Sequence, residues 1–207
     1  MKLVVEKLAV ERGGRAVFTG LSFVVEAGTL LRVTGANGAG KTTLLRMLAG
    51  LAAASDGSAV WHRPDGIVSS AAAACFVGHT HAFNDALTVR ENLTYAAALA
   101  GTDAASEDVA VALDAFGVKP MMNRSFGTLS QGQRKRCSLA RLRLDSNAGQ
   151  RGGRAWLLDE PFVALDTATQ AQLASIISAE LAAGGLVVYS SHQAVDIRAA
   201  NTQEITL

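Results

Sequence analysis

Residues 35 to 43 read Gly-Ala-Asn-Gly-Ala-Gly-Lys-Thr-Thr, which fits Gly-x-x-x-x-Gly-Lys-[Ser/Thr], the pattern of a phosphate-binding loop. Gly35, Gly38 and Gly40 leave the backbone free to curl. The loop Gly35, Ala36, Asn37, Gly38, Ala39, Gly40 can then aim successive N–H groups at one anion, helped by the positive end of the helix that follows. Lys41 adds a point charge for the β- and γ-phosphates, Thr42 offers a hydroxyl to Mg²⁺, and Thr43 reaches the α-phosphate.

Two further segments carry chemistry. Trp156-Leu157-Leu158-Asp159-Glu160-Pro161 is an apolar strand ending in two acids, and resembles a Walker B element. In that reading Asp159 holds Mg²⁺, through water, and Glu160 polarises the attacking water as a general base. Leu129-Ser130-Gln131-Gly132-Gln133 starts a helix, because Ser130 and Gln133 have the spacing of a capping box. A capped helix start that carries Gly132 is also a ready anion site.

The elements that must position these residues follow from periodicity. Leu3 to Glu11 and Ala16 to Glu26 read as strands joined by the hairpin-type connection Arg12-Gly13-Gly14-Arg15. Leu30, Leu31 and Val33 form a short buried strand running into the loop. Lys41 to Leu51 reads as a helix with Leu44, Leu45 and Leu48 inward and Gly50 as terminator. Residues 56 to 66 read as irregular, with turns at Asp56-Gly57 and Pro64-Asp65-Gly66. Cys75 to Val77 ends another strand. Asn92 to Ala100, Ser106 to Phe116 and Ser130 to Leu144 have helical spacing. Ala155 to Leu158 is a strand, Thr167 to Ala182 a helix, and Leu186 to Tyr189 the last strand. Strands alternating with helices at both ends of a helical middle predict an α/β fold, a parallel-sheet phosphate-loop core with N-terminal antiparallel strands and an inserted helical subdomain. The expected division is a core of residues 1–85 and 153–207 and a helical part of 86–152. Ser146 to Gly153, polar and glycine-rich, reads as a flexible loop.

Composition bounds the rest. A chain of 207 residues with 49% hydrophobic content suggests one domain with an ordinary core. A net charge of +1 gives no sign of a nucleic-acid surface. Cys75 and Cys137 lack metal-ligand spacing and read as buried free thiols. With no long apolar run and no signal-peptide plan, the expectation is a cytoplasmic chain whose membrane contact is made by another subunit.

Phosphate loop, capped Leu-Ser-Gln-Gly-Gln segment and Walker B, in this order, resemble the ABC ATPases, whose signature is Leu-Ser-Gly-Gly-Gln; here Gln131 replaces the first glycine. Ala164-Leu165-Asp166 stands at the distance of that family's D-loop. Ser190-Ser191-His192 looks like its H-loop, whose histidine contacts the γ-phosphate. The chain departs from the general family pattern in three places. Arg12 stands near the position of the usual adenine-stacking aromatic. His79 takes the position of the Q-loop glutamine. Ser130 to Asp159 spans 29 residues, several more than usual. Gly78-His79 followed by Thr88-Val89-Arg90-Glu91-Asn92-Leu93 is similar to the branch serving cytochrome c maturation, the CcmA family of haem-handling complexes.

The resemblance implies an ATP-hydrolysing subunit that uses ATP and Mg²⁺, with Glu160, His192 and Lys41 catalytic. The loop from Gly35 to Thr43, Ser130, Gly132, Gln133, His79 and Asp166 would bind nucleotide, and Thr42 and Asp159 the metal. It implies a homodimer sandwiching two ATP molecules head to tail, peripheral on the cytoplasmic face of the cell membrane. It also implies membrane permease subunits of the CcmB and CcmC type, with a haem chaperone served indirectly. Another small lipid or peptide ABC transporter, or a soluble non-transport ABC ATPase, are the competing readings.

Overall fold

Every strand that enters the chemistry is buried on both faces, and the two faces belong to different cores. In the computed structural model, which describes residues 1–78, 82–147, 155–192 and 194–207, the strands are β1 (Lys2–Arg12), β2 (Arg15–Glu26), β3 (Thr29–Thr34), β4 (Asp56–Arg63), β5 (Gly66–Val68), β6 (Ala74–Val77), β7 (Ala155–Asp159), β8 (Val187–Ser190) and β9 (Asn201–Thr206). The helices are α1 (Lys41–Leu48), α2 (Ser70–Ala73), α3 (Val89–Leu99), α4 (Ser106–Asp114), α5 (Gln131–Leu139), α6 (Arg141–Asn147) and α7 (Thr167–Ala182), with short 3₁₀ turns at Lys119–Met121 and Phe126–Thr128. Five strands form a parallel sheet in the order β6-β7-β8-β3-β9, and four form an antiparallel sheet in the order β2-β1-β4-β5.

Successive side chains on a strand point to opposite faces. On β7, Trp156 and Leu158 join the core shared with α3 to α7, while Ala155 and Leu157 join the core that holds α1 and the inner face of the antiparallel sheet. This double burial explains the near-continuous apolar runs, since parallel strands covered on both faces cannot alternate. Helix α1 lies between the sheets: Leu44, Leu45 and Leu48 are fully buried, and the Trp61 indole N–H of β4 donates to the Leu48 carbonyl at 2.9 Å. Gly50 ends the helix with φ 73°. Its N–H bonds the Met47 carbonyl and Leu51 N–H bonds that of Arg46, closing the last turn.

The helical part is set by two capping boxes, Thr88 with Glu91 on α3 and Ser130 with Gln133 on α5. Both cysteines are buried thiols outside any disulfide, and burial pushes the Cys137 thiol up to about 12.

Three sequence expectations are corrected. Residues 56–66 are not irregular: Asp56–Arg63 is a strand paired to β1, and Pro64-Asp65 is the turn of a hairpin with β5. Trp61 is its only fully buried residue, so the segment carries little apolar signal. Ser130 to Leu144 is not one helix. It breaks at Ala140, where Arg143 N–H bonds back three residues to the Ala140 carbonyl and tightens the turn. The strand ending at Ser190 is not the last, because the polar segment Asn201–Thr206 adds β9 to the edge of β3. The expected Ser146 to Gly153 loop falls largely outside the described residues.

Candidate functional site

The chemistry gathers at the C-terminal edge of the parallel sheet, where strands hand over to loops and where α/β folds bind ligands. From the end of β3 the loop 35–40 turns into α1. Gly40 has φ 104°, and a Cβ there would stand 2.6 Å from Val17 Cγ1 and 3.1 Å from Phe18 Cδ1. Gly35 has φ 138°, and its Cβ would meet the Leu207 carbonyl oxygen at 2.8 Å. The loop therefore threads between β2 and the end of β9, and only glycine fits at these two places. Lys41 is buried, and its ammonium donates to the Gly35 and Ala36 carbonyls at 2.8 and 3.0 Å. Those bonds hold the charge inside the curl of the loop.

Next to it, the pairing of β7, β8 and β3 sets Asp159, Ser190 and Val33 abreast. Asp159 is buried and accepts two hydroxyl bonds at 2.8 Å, from Thr42 to Oδ2 and from Ser190 to Oδ1. Thr42 and Asp159 thus bring a hydroxyl and a carboxylate together beside the phosphate loop, the hard oxygen pair a small divalent cation takes. Glu160 follows with φ 46°, a left-handed conformation for a non-glycine residue, immediately before Pro161. Its N–H donates to Ser190 Oγ at 2.9 Å, and its carboxylate Oε1 lies 3.2 Å from His192 Nε2. Acid and imidazole are both partly exposed and face a cavity of about 250 Å³ lined by Phe162, Ala164, Gln170 and Ser191 as well.

The structure thus brings the loop, Lys41, Thr42, Asp159, Glu160 and His192 together. It gives other expected residues a different present duty. Gln133 is engaged in the α5 cap, its side-chain oxygen accepting Ser130 N–H at 3.0 Å. Asp166 caps α7 by accepting Thr169 N–H at 2.8 Å, and these bonds hold its carboxyl below the usual range. A Cβ on Gly132 would lie 3.8 Å from the Ala164 carbonyl oxygen, so the start of α5 abuts the segment after Pro161. His79 lies outside the described residues.

Sequence reading missed four contributing residues. Ser190 was visible only as a neighbour of His192, yet its hydroxyl joins both acids. Val17 and Phe18 looked like ordinary strand residues, and their contact with Gly40 is tertiary. Lys135, within the run Arg134-Lys135-Arg136, reads as a solvated cation but is 5% exposed, with its ammonium 3.2 Å from the Glu160 carbonyl.

Comparisons with known proteins bear on the family and the fold. The ABC transporter family model matches residues 18–163. The Albidiferax ferrireducens protein named cytochrome c biogenesis ATP-binding export protein CcmA is 42% identical over 205 residues, 97% of this chain and 94% of that one. The protein of the same name from Dechloromonas aromatica is 41% identical, with 99% of each chain covered. Among solved structures, a Pyrococcus furiosus protein taken to be an ABC transporter ATP-binding protein superposes with TM-score 0.80 at 23% identity, over 99% of this chain and 97% of that one. A bacterial Atm1-family ABC exporter with ATP bound gives TM-score 0.75 at 23% identity, over 93% of this chain and 34% of that one. At such identities the solved structures speak for the fold alone. With the family model spanning most of its length and relatives aligned end to end, the chain belongs to the ABC transporter family, as an ATP-binding subunit.

Proposed function

We propose that this chain is the ATP-hydrolysing motor of an export complex for cytochrome c biogenesis. The carrying observation is the contiguous set Lys41, Thr42, Asp159, Ser190, Glu160 and His192 in a chain whose full-length relatives bear that name. In the proposed reaction the loop amides and Lys41 bind the β- and γ-phosphates. The Lys41 ammonium, now on two loop carbonyls, exchanges them for phosphate oxygens, at little cost because the charge is already positioned. Thr42 and Asp159 fit Mg²⁺, which when bound neutralises charge on the phosphates. Glu160 takes the proton of the attacking water, and His192, beside the same carboxylate, orients the γ-phosphate. The adenine is expected against Val17 and Phe18, with the exposed Arg12 guanidinium as a stacking partner.

One chain carries one phosphate loop and one signature segment, so the reading requires two copies, each presenting Ser130 and Gly132 to its partner's nucleotide. Gln133 and Asp166 are read as shaping that surface through the caps they form. Among the described residues no helix is long and apolar enough to cross a membrane. The proposed complex therefore includes membrane subunits, of the CcmB and CcmC type, that receive the stroke on the cytoplasmic face and act on a haem chaperone. A cleft of about 290 Å³ between the end of β6 and the α5–α6 junction is their docking place in this reading. It is bordered by Arg46, Leu51, Phe76, Gly78, Ala82 and Arg141.

The test is genetic. Deleting the gene should abolish c-type cytochromes and spare b-type cytochromes, and restoring the wild-type chain, but not Lys41→Ala, should bring them back. Normal c-type cytochromes in the deletion strain would reject the assignment to cytochrome maturation.

A further inference from the structure

Lys135 lies almost out of solvent on α5, its ammonium turned to the Glu160 turn. Its ammonium donates to the main-chain carbonyl of Glu160 at 3.2 Å. That carbonyl also accepts Val163 N–H at 3.3 Å, and the same residue's N–H is held by Ser190 at 2.9 Å. Glu160 is thus gripped on both sides of a left-handed backbone, φ 46°, that precedes a proline. Such a conformation is strained for a non-glycine residue and persists only where its surroundings over-determine it.

Lys135 is a costly way to hold a turn. Burial pushes its ammonium below the usual lysine range, and the neighbouring Asp159 and Glu160 carboxylates offset this only in part. Keeping an ammonium almost out of solvent costs desolvation that one main-chain carbonyl repays only in part. Its placement suggests a reason. Lys135 stands three residues after Gly132, on the same side of α5, and Gly132 itself abuts Ala164 of the segment that Glu160 opens.

We propose that Lys135 is a positioning residue for hydrolysis: from the helix that presents Ser130 and Gly132, it holds the Glu160 peptide so that the carboxylate stays aimed at the attacking water. The inference rests on Glu160 being the base. It makes the signature helix a direct support of the base in its own chain, besides a contact for the partner's nucleotide.

The experiment uses the full chain with K135M, K135R and E160Q. It reads the single-turnover hydrolysis rate at saturating Mg-ATP, the dissociation constant of a fluorescent ATP analogue and the unfolding midpoint. K135M keeps length and loses the donor. Its rate should fall roughly ten- to a hundredfold, the range of one charged hydrogen bond at a site that shapes the transition state. Affinity should stay within about twofold, and the midpoint should not drop, since the buried charge is gone. K135R, still a cationic donor, should recover the rate to within about fivefold of wild type. A K135M rate within about twofold of wild type overturns the inference, as does a joint fall of rate, affinity and midpoint, which marks a merely structural lysine. K135R as slow as K135M overturns the donor role. If E160Q itself hydrolyses ATP normally, the base assignment fails; if E160Q is inert while K135M runs at full rate, only the Lys135 inference fails.

Discussion

Replacing Ser190 with alanine removes one oxygen and two hydrogen bonds that meet on it. Ser190 is fully buried at the end of β8, accepts the Glu160 N–H at 2.9 Å and donates to Asp159 Oδ1 at 2.8 Å. The bond to the carboxylate is of the charged kind, contributing about 1.5–3 kcal/mol, and the bond from the amide about 0.5–1.5 kcal/mol. Asp159 keeps Thr42, and Glu160 keeps its carbonyl bonds to Val163 and Lys135, so the loss should stay in the lower half of the sum, about 2–3 kcal/mol. For a domain of this size that lowers the unfolding midpoint by about 4–12 °C. Calorimetric or fluorescence unfolding reads the first quantity and a coupled-enzyme assay the second. Hydrolysis should fall by about tenfold or more, because both acids lose their common tether. Ser178→Ala is the control. It too removes two hydrogen bonds, to Ala174 and from Arg198, but at a partly exposed site far along α7, so it should cost about 1 kcal/mol and leave hydrolysis untouched. A Ser190→Ala protein that loses under about 0.5 kcal/mol and keeps its rate would refute the reasoning.

Gly40→Ala combines a φ of 104° with a Cβ 2.6 Å from Val17 Cγ1, so the loop must shift; ATP affinity measured by titration calorimetry should weaken by about tenfold or more. The carboxyls of Asp166 and Glu91 are both held low, Asp166 by Thr169 and Glu91 by Thr88. A group whose folded pKa is depressed adds stability above its unfolded pKa and loses it as pH falls through the folded value. A D166N/E91Q protein should therefore show a flatter acid limb of unfolding midpoint against pH, over roughly pH 2–5. The base of the nucleotide is expected to meet Val17, Phe18 and Arg12 rather than a hydrogen-bonding edge, so KM for GTP should lie within about tenfold of that for ATP.

The chemistry was legible because it is local. Gly35 to Thr43 carries turn, helix start and reactive groups, and Trp156 to Glu160 carries strand and reactive acids, each in under a dozen residues, and the structure has these elements where the periodicity puts them. What was not legible is what one segment does to another. The β4 strand escapes notice because Trp61 is its only fully buried residue, with the small Ala59 partly buried against the same core, and its ends sit beside turn signals. The β9 strand is polar and mostly exposed, and is a strand only because β3 offers an edge. Lys135 sits in a basic triplet on a helix, where a solvated face is the ordinary reading; its burial and its bond to the turn at Glu160 are set by tertiary packing that the helix's own residues do not announce. The adjacency of Ser190 to Asp159 is a matter of strand register, which pairs residues 31 positions apart in the chain.

The account turns on Glu160 as the base of a nucleotide-bridged pair of subunits. Glu160→Gln keeps shape and removes the base, so the variant should bind Mg-ATP, hydrolyse it roughly 10²-fold more slowly or worse, and accumulate as a dimer. Light scattering of that variant with and without Mg-ATP measures this directly. The account predicts twice the monomer mass with nucleotide and the monomer mass without it. A variant that turns over ATP at the wild-type rate, or stays monomeric with saturating Mg-ATP, contradicts it.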